Sequence, residues 1–161
     1  METLLSLTAE RAMNHAHAVA LCSREETVTY AKLWNRILGF AGYACLLLSE
    51  KGRLLSVEAV PPVDFAVASL GIQLAGGICV LNEEGRSEAA ARIDCAEICS
   101  VAEGFYSADA SFYPPAETDP ALLHITRNGK TVYTHGELLE AVRTDASLPF
   151  LSVYRALIKT V

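Results

Sequence analysis

The sequence predicts an α/β fold, a mostly parallel sheet with flanking helices plus a β-hairpin. Three observations lead there. Apolar strand-like and helix-like runs alternate from Leu54 to Val101, the βαβ pattern of a covered parallel sheet. Asn128-Gly129 stands between two β-prone runs, a strong short-range hairpin signal. From Ala31 to Leu48 the residues Leu33, Ile37, Phe40, Ala41, Ala44 and Leu48 recur at helical steps.

The elements follow in order. Leu4 to His17 has a helical pattern, with Thr8 expected as its cap ahead of Ala9-Glu10-Arg11-Ala12. Ala18 to Leu21 and Val28-Thr29-Tyr30 form short strands across a polar turn. The helix Ala31 to Leu48 ends at Lys51-Gly52, where glycine suits a left-handed C-terminal position. Leu54 to Val60 is a strand stopped by Pro61-Pro62, which opens a helix to about Leu74. Ile78 to Leu81 is a strand, Ser87 to Ile93 a helix and Ala96 to Val101 a strand. Glu103 to Asp119 has no period and reads as a long loop. Leu122 to Thr126 and Thr131 to Thr134 are the hairpin strands, and a type I′ turn on Asn128-Gly129 needs positive φ at both. Thr134 and Glu137 form a capping box for a helix over His135 to Arg143. A last helix lies within Ser147 to Val161, with Leu151, Tyr154, Leu157 and Ile158 on one face.

The 161 residues suit one domain, 52% of them apolar and 20% charged, which excludes a disordered chain. A net charge of −6 gives no long-range attraction for nucleic acid or anionic membrane. The apolar stretch Val63 to Leu81 is broken by Asp64, Gln73 and Gly76-Gly77, so no membrane span is expected. Five cysteines, an odd number without a C-x-x-C pair, point to free thiols and a cytoplasmic setting. The residues from Met1 to Glu10 lack the basic start of a signal peptide.

Read in order, the motifs resemble the start of adenylate-forming enzymes, the superfamily of acyl-CoA synthetases and adenylation domains. Thr29-Tyr30-Ala31-Lys32-Leu33 matches a T-Y-x-x-L helix start. Ala75-Gly76-Gly77-Ile78-Cys79-Val80-Leu81-Asn82 matches A-G-x-x-x-V-P-L-N without its proline. Asp119-Pro120-Ala121-Leu122-Leu123-His124-Ile125-Thr126 looks like the D-P-A-x-I-x-Y-T lead-in to the family's phosphate loop. Thr134-His135-Gly136-Glu137-Leu138 looks like the T-H-x-x-L after it. The resemblance spans about residues 15 to 143 and implies the N-terminal subdomain of such an enzyme. The whole chain, 1–161, is then expected to be a single truncated AMP-binding-like domain, with a long loop at 102–119 and the hairpin and C-terminal helices at 120–161.

The departure lies in the loop itself. The family's T-S-G-T-T-G-x-P-K-G wraps N–H groups and hydroxyls around ATP phosphates. Here Thr126-Arg127-Asn128-Gly129-Lys130-Thr131 stands in its place. Thr126, Asn128, Gly129 and Lys130 are therefore the candidate site, a degenerate phosphate loop expected not to enclose a triphosphate. Lys130 remains as a point charge able to meet a phosphate. The family's metal-binding acid and adenylating lysine have no matching positions, so no catalytic residue and no metal site is expected.

Other candidates read as structural. His15 and His17 point to different sides of a helix with no third ligand. Cys95 and Cys99 lack a neighbouring His or Cys. His135 is expected to open a helix and His124 to face solvent. Tyr30 and Trp34 pack at helical spacing, and Phe105-Tyr106 and Phe112-Tyr113 lie in the long loop. The expected function is non-catalytic, by protein–protein association with a second copy or a protein partner, needing no cofactor. The alternative is the N-terminal component of a split acyl-CoA or acyl-adenylate ligase completed by a partner chain. ATP and Mg²⁺ belong to that alternative alone.

Overall fold

The computed structural model describes residues 2–23, 26–51, 54–57, 61–82, 91–93, 98, 115–144 and 148–159. Helix α1 (Leu4–Asn14) precedes a two-stranded antiparallel sheet, β1 (Val19–Cys22) with β2 (Thr27–Thr29). Helix α2 (Tyr30–Lys51) leads to β3 (Leu54–Val57), α3 (Pro62–Leu74) and β4 (Ile78–Asn82). Then come β5 (Ala91–Ile93), β6 (Pro120–Thr126) and β7 (Gly129–Thr134), and the helices α4 (His135–Thr144) and α5 (Pro149–Ile158). The larger sheet has the order β5-β3-β4-β6-β7. Its first four strands run parallel, and β7 pairs antiparallel with β6 at one edge.

Register explains the core. Leu55 pairs with Cys79 and Cys79 with Leu122, and all three are fully buried in the main cluster. One position along, Val80 pairs with Leu123 on the opposite face of the sheet, since side chains alternate. Val80 and Ile125, on that second face, are also buried but lie outside the main cluster. Helix α2 contributes Tyr30, Leu33, Ile37, Phe40, Ala41 and Ala44, the stripe its spacing predicts.

Helix α3 is buried on every side from Phe65 to Leu74. It starts on Pro62, whose missing N–H costs nothing at that position. It ends where Gly76 takes φ +90° and the N–H groups of Gly76 and Gly77 reach Gln73 O and Ile72 O. That is a Schellman closure. Gly71 lets α2 approach closely, because a Cβ there would fall 2.9 Å from Phe40 Cδ1 and 3.2 Å from Ala41 N.

Several expectations are corrected. The cap of α1 is Thr3, not Thr8: Thr3 and Ser6 exchange bonds from Ser6 N to Thr3 Oγ1 and from Thr3 N to Ser6 Oγ. Thr8 sits inside the helix and donates to Leu4 O at 2.7 Å. Residues 91–93 form a strand rather than the end of a helix, because pairing beside β3 outweighs local propensity. Ile98 is helical within the run expected to be extended. Most of that run, most of the 102–119 loop, Gly52, Cys95, Cys99 and both loop aromatic pairs lie outside the described residues. His124 is buried, not solvent-facing, with its ring edge-on to Phe150 at 4.8 Å. The capping box of Thr134 and Glu137 forms as expected, both bonds at 3.1 Å.

The first and last helices meet at one group. Arg11 Nη1 donates to the carbonyls of Leu157 and Lys159, and Nη2 to that of Ile158. Nη1 also donates to the Tyr30 hydroxyl, which itself donates to Leu157 O at 2.7 Å. These carbonyls are the ones a helix C-terminus leaves without partners, and a cation there suits the helix dipole. Arg11→Ala is expected to lower the unfolding free energy by about 1.5–3 kcal/mol in urea denaturation. Arg11→Lys should restore less than half of it, because an ammonium lacks the planar fork.

Candidate functional site

The site expected from the sequence is the turn between β6 and β7. Ile125 pairs with Lys130 and Thr126 with Gly129, leaving Arg127 and Asn128 as the two turn residues. No non-glycine residue among those described has positive φ, so neither Arg127 nor Asn128 does. The type I′ turn centred on Asn128-Gly129 is therefore not what forms. The turn sits one residue earlier, and Gly129 follows it with φ +126°. An Asn-Gly pair serves either arrangement, because glycine supplies positive φ wherever the turn demands it.

The four candidate residues come together at the turn. The Asn128 N–H donates to Thr126 Oγ1 at 3.3 Å, so the turn's hydroxyl is engaged inside the turn. Arg127, Asn128 and Lys130 are exposed, while Thr126 and Gly129 are half-buried. Arg127 lies in the turn and Lys130 on the first rungs of β7, both exposed.

Two grooves of the described surface lie away from this turn. One of about 290 Å³ runs between β1 and α5, lined by Ala20, Leu21, Val153 and Ala156 among others. Another of about 330 Å³ is bordered by Glu2, Glu117, Glu140 and Arg143. Within it Arg143 bonds Glu2 at 2.7 Å and holds that carboxyl below its ordinary range.

The titratable candidates are placed as follows. His15 and His17 are exposed, just past the end of α1. No group of three or more His, Cys, Asp or Glu suited to a metal occurs among the described residues. Cys22 and Cys45 are exposed free thiols, whereas burial pushes the Cys79 thiol up to about 12, removing it as a nucleophile at neutral pH. His135 is buried at the start of α4, its backbone N–H donating to Asp119 O at 3.0 Å. Burial pushes its imidazole down to about 4, against an upward pull from the Asp119 carboxylate. Sequence reasoning missed the Arg11 contacts and the bond from the Tyr154 hydroxyl to Ser69. Nothing local to those residues signals either.

The fold is that of the N-terminal subdomains of adenylate-forming enzymes, with their parallel strands, flanking helices and hairpin. Similar solved structures include the nonribosomal peptide synthetase FmoA3 (TM-score 0.68, 17% identity), of which this chain covers 18%. They also include the NpsA N-terminal subdomain of Klebsiella oxytoca (0.67, 15%, 44% covered) and VinN in complex with L-aspartate (0.68, 14%, 50% covered). In each, 88% of this chain is matched, so it spans half or less of those proteins. No family model and no curated protein matches by sequence.

Two outcomes follow from the local chemistry. Gly129→Val is expected to cost about 1–2 kcal/mol by thermal or chemical denaturation, because φ +126° strains any side chain even though space is open there. His135 binds a proton in the unfolded chain, with an ordinary value of 6.5, that the folded protein refuses down to about pH 4. Stability should therefore fall by roughly 1–3 kcal/mol as pH drops across that window. In urea titrations at stepped pH, His135→Gln should lack that component.

Proposed function

We propose that this chain is a non-catalytic protein with an acyl-CoA synthetase-like (AMP-binding-like) fold that acts by protein–protein association, with a second copy or a protein partner. The observation that carries the reading is the two-residue turn, Arg127-Asn128, where the resemblance calls for a phosphate loop. Its hydroxyl is turned inward to Asn128 N, and its backbone is spent on strand pairing up to Thr126 and Gly129. In this reading Thr126, Asn128, Gly129 and Lys130 are structural, no ATP or Mg²⁺ is used, and residues 1–161 act as one AMP-binding-like domain. The protein works in the cytoplasm, where its thiols stay reduced, and binds neither nucleic acid nor membrane. Among the described residues no helix is long and apolar enough to cross a membrane.

Association is supported by the edge of the larger sheet. Among the described residues strand β7 ends the strand order, and Thr131 and Val132 on it are exposed, Val132 to 54%. An exposed strand edge is a ready template for another chain.

A second reading is the N-terminal component of a split ligase completed by a partner chain, carried by the shared fold of adenylate-forming N-terminal subdomains. Two measurements separate the readings. Light scattering at micromolar concentration should give a mass above that of the 17.3 kDa monomer, and a clean monomer would count against self-association. Titration calorimetry with ATP–Mg²⁺ should give no heat up to sub-millimolar ATP, and binding there would favour the ligase component.

A further inference from the structure

Strand β7 carries opposite charges at its two ends. Arg127 and Lys130 lie at its turn end, and both are exposed. At the other end the exposed Glu137 carboxylate accepts from Thr134 N at 3.1 Å, so it stands at the strand's last residue. Between these ends Thr131 and Val132 are exposed in succession, so both faces of the strand reach solvent.

The ladder to β6 uses alternate residues of β7. A two-residue turn makes its flanking pair, Thr126 and Gly129, hydrogen-bonded, so Thr131 and Tyr133 also bond towards β6. Val132 falls between them, opposite Leu123 in a pair without such bonds. Its N–H and C=O therefore point away from β6. Among the described residues no strand lies beyond β7 on that side.

Charge selects both the occupant of this edge and its register. A second copy running antiparallel sets the basic end of each β7 on the acidic end of the other, and one two-fold axis serves both contacts. An axis at Val132 sets Lys130 opposite Thr134 of the second copy, where that copy's Glu137 carboxylate stands. An axis at Lys130 would instead set two lysines face to face, which is unfavourable.

We propose that β7 pairs antiparallel with β7 of a second copy about Val132, joining the two larger sheets into one. This rests on the association reading above and assigns it a partner and a register. The two Val132 residues exchange N–H···O bonds and cover each other's side chains, while Arg127 and Lys130 face Glu137 at both ends.

The test is a pair of charge reversals in the full chain, read by sedimentation equilibrium. Arg127→Glu with Lys130→Glu, and separately Glu137→Lys, each put like charges at both contacts of a homodimer. Each is expected to weaken self-association about tenfold. An equimolar mixture of the two should recover it, because every contact of the mixed dimer again joins opposite charges. Val132→Pro removes the outward N–H, is tolerated on a strand edge, and should abolish the dimer with native circular dichroism retained. A mixture that associates no better than its components overturns the pairing, as does a Val132→Pro chain that dimerises normally. With a dimeric wild type, either result leaves association through another surface standing. A wild-type chain that stays monomeric at micromolar concentration overturns the pairing and self-association together.

Discussion

The guanidinium of Arg11 joins parts of the chain that lie far apart in sequence. It reaches Leu157, 146 positions away in sequence, and in doing so brings α1, the start of α2 and the end of α5 to one point. The electrostatics favour this meeting from both sides. The carbonyl end of α5 carries partial negative charge, and Arg11 is a permanent cation with a planar set of donors. Tyr30 completes the arrangement: its ring lies under the guanidinium at 5.9 Å and its hydroxyl donates to the same Leu157 carbonyl. With that corner closed, α5 is held at its C-terminal end, and Phe150, Leu151, Tyr154 and Leu157 face the core.

α5 packs against α4, α1, β1 and α3, and of these α3 is the element with least freedom. It has no solvent face between Phe65 and Leu74, so each position must suit a specific neighbour. Gly71 is small because α2 passes at Phe40 and Ala41, and Gly77 is small because Leu48 lies where its Cβ would go. The Tyr154–Ser69 bond gives this interior one directional contact, whereas apolar packing alone tolerates sliding of one helix along another. A geometric lock at Arg11 and a polar contact at Ser69 thus constrain α5 at two points along its length.

The fold was legible wherever local pattern and global need coincide. The buried stripe of α2 follows from its spacing, and Pro61-Pro62 marked the start of α3 because proline suits a helix start and nothing further in. The parallel strands showed as apolar runs because their register buries Leu55, Cys79 and Leu122 together. The rest was illegible for physical reasons. The strand at Ala91–Ile93 takes its conformation from β3 rather than from its own residues. Thr3 was missed as a cap because Ser6 closes the box in place of the usual Glu or Gln. His124 looked like a surface residue in a hairpin, yet its register puts it on the face of Leu122 and Tyr133, where Phe150 of α5 covers it.

The hairpin turn shows how small the difference is between a structural loop and a binding loop. A phosphate-binding loop must leave its N–H groups unused by its own backbone, so that they remain available to an anion. Between β6 and β7 the pairing instead continues to the last possible residues, Thr126 and Gly129, and the one hydroxyl there is taken by Asn128 N. Each hydrogen-bonded rung of that ladder engages backbone N–H groups that a phosphate loop would leave free. Extending the strands and holding a triphosphate are therefore competing uses of the same few backbone groups. On the proposed non-catalytic reading, the antiparallel pairing of β6 with β7 has taken them.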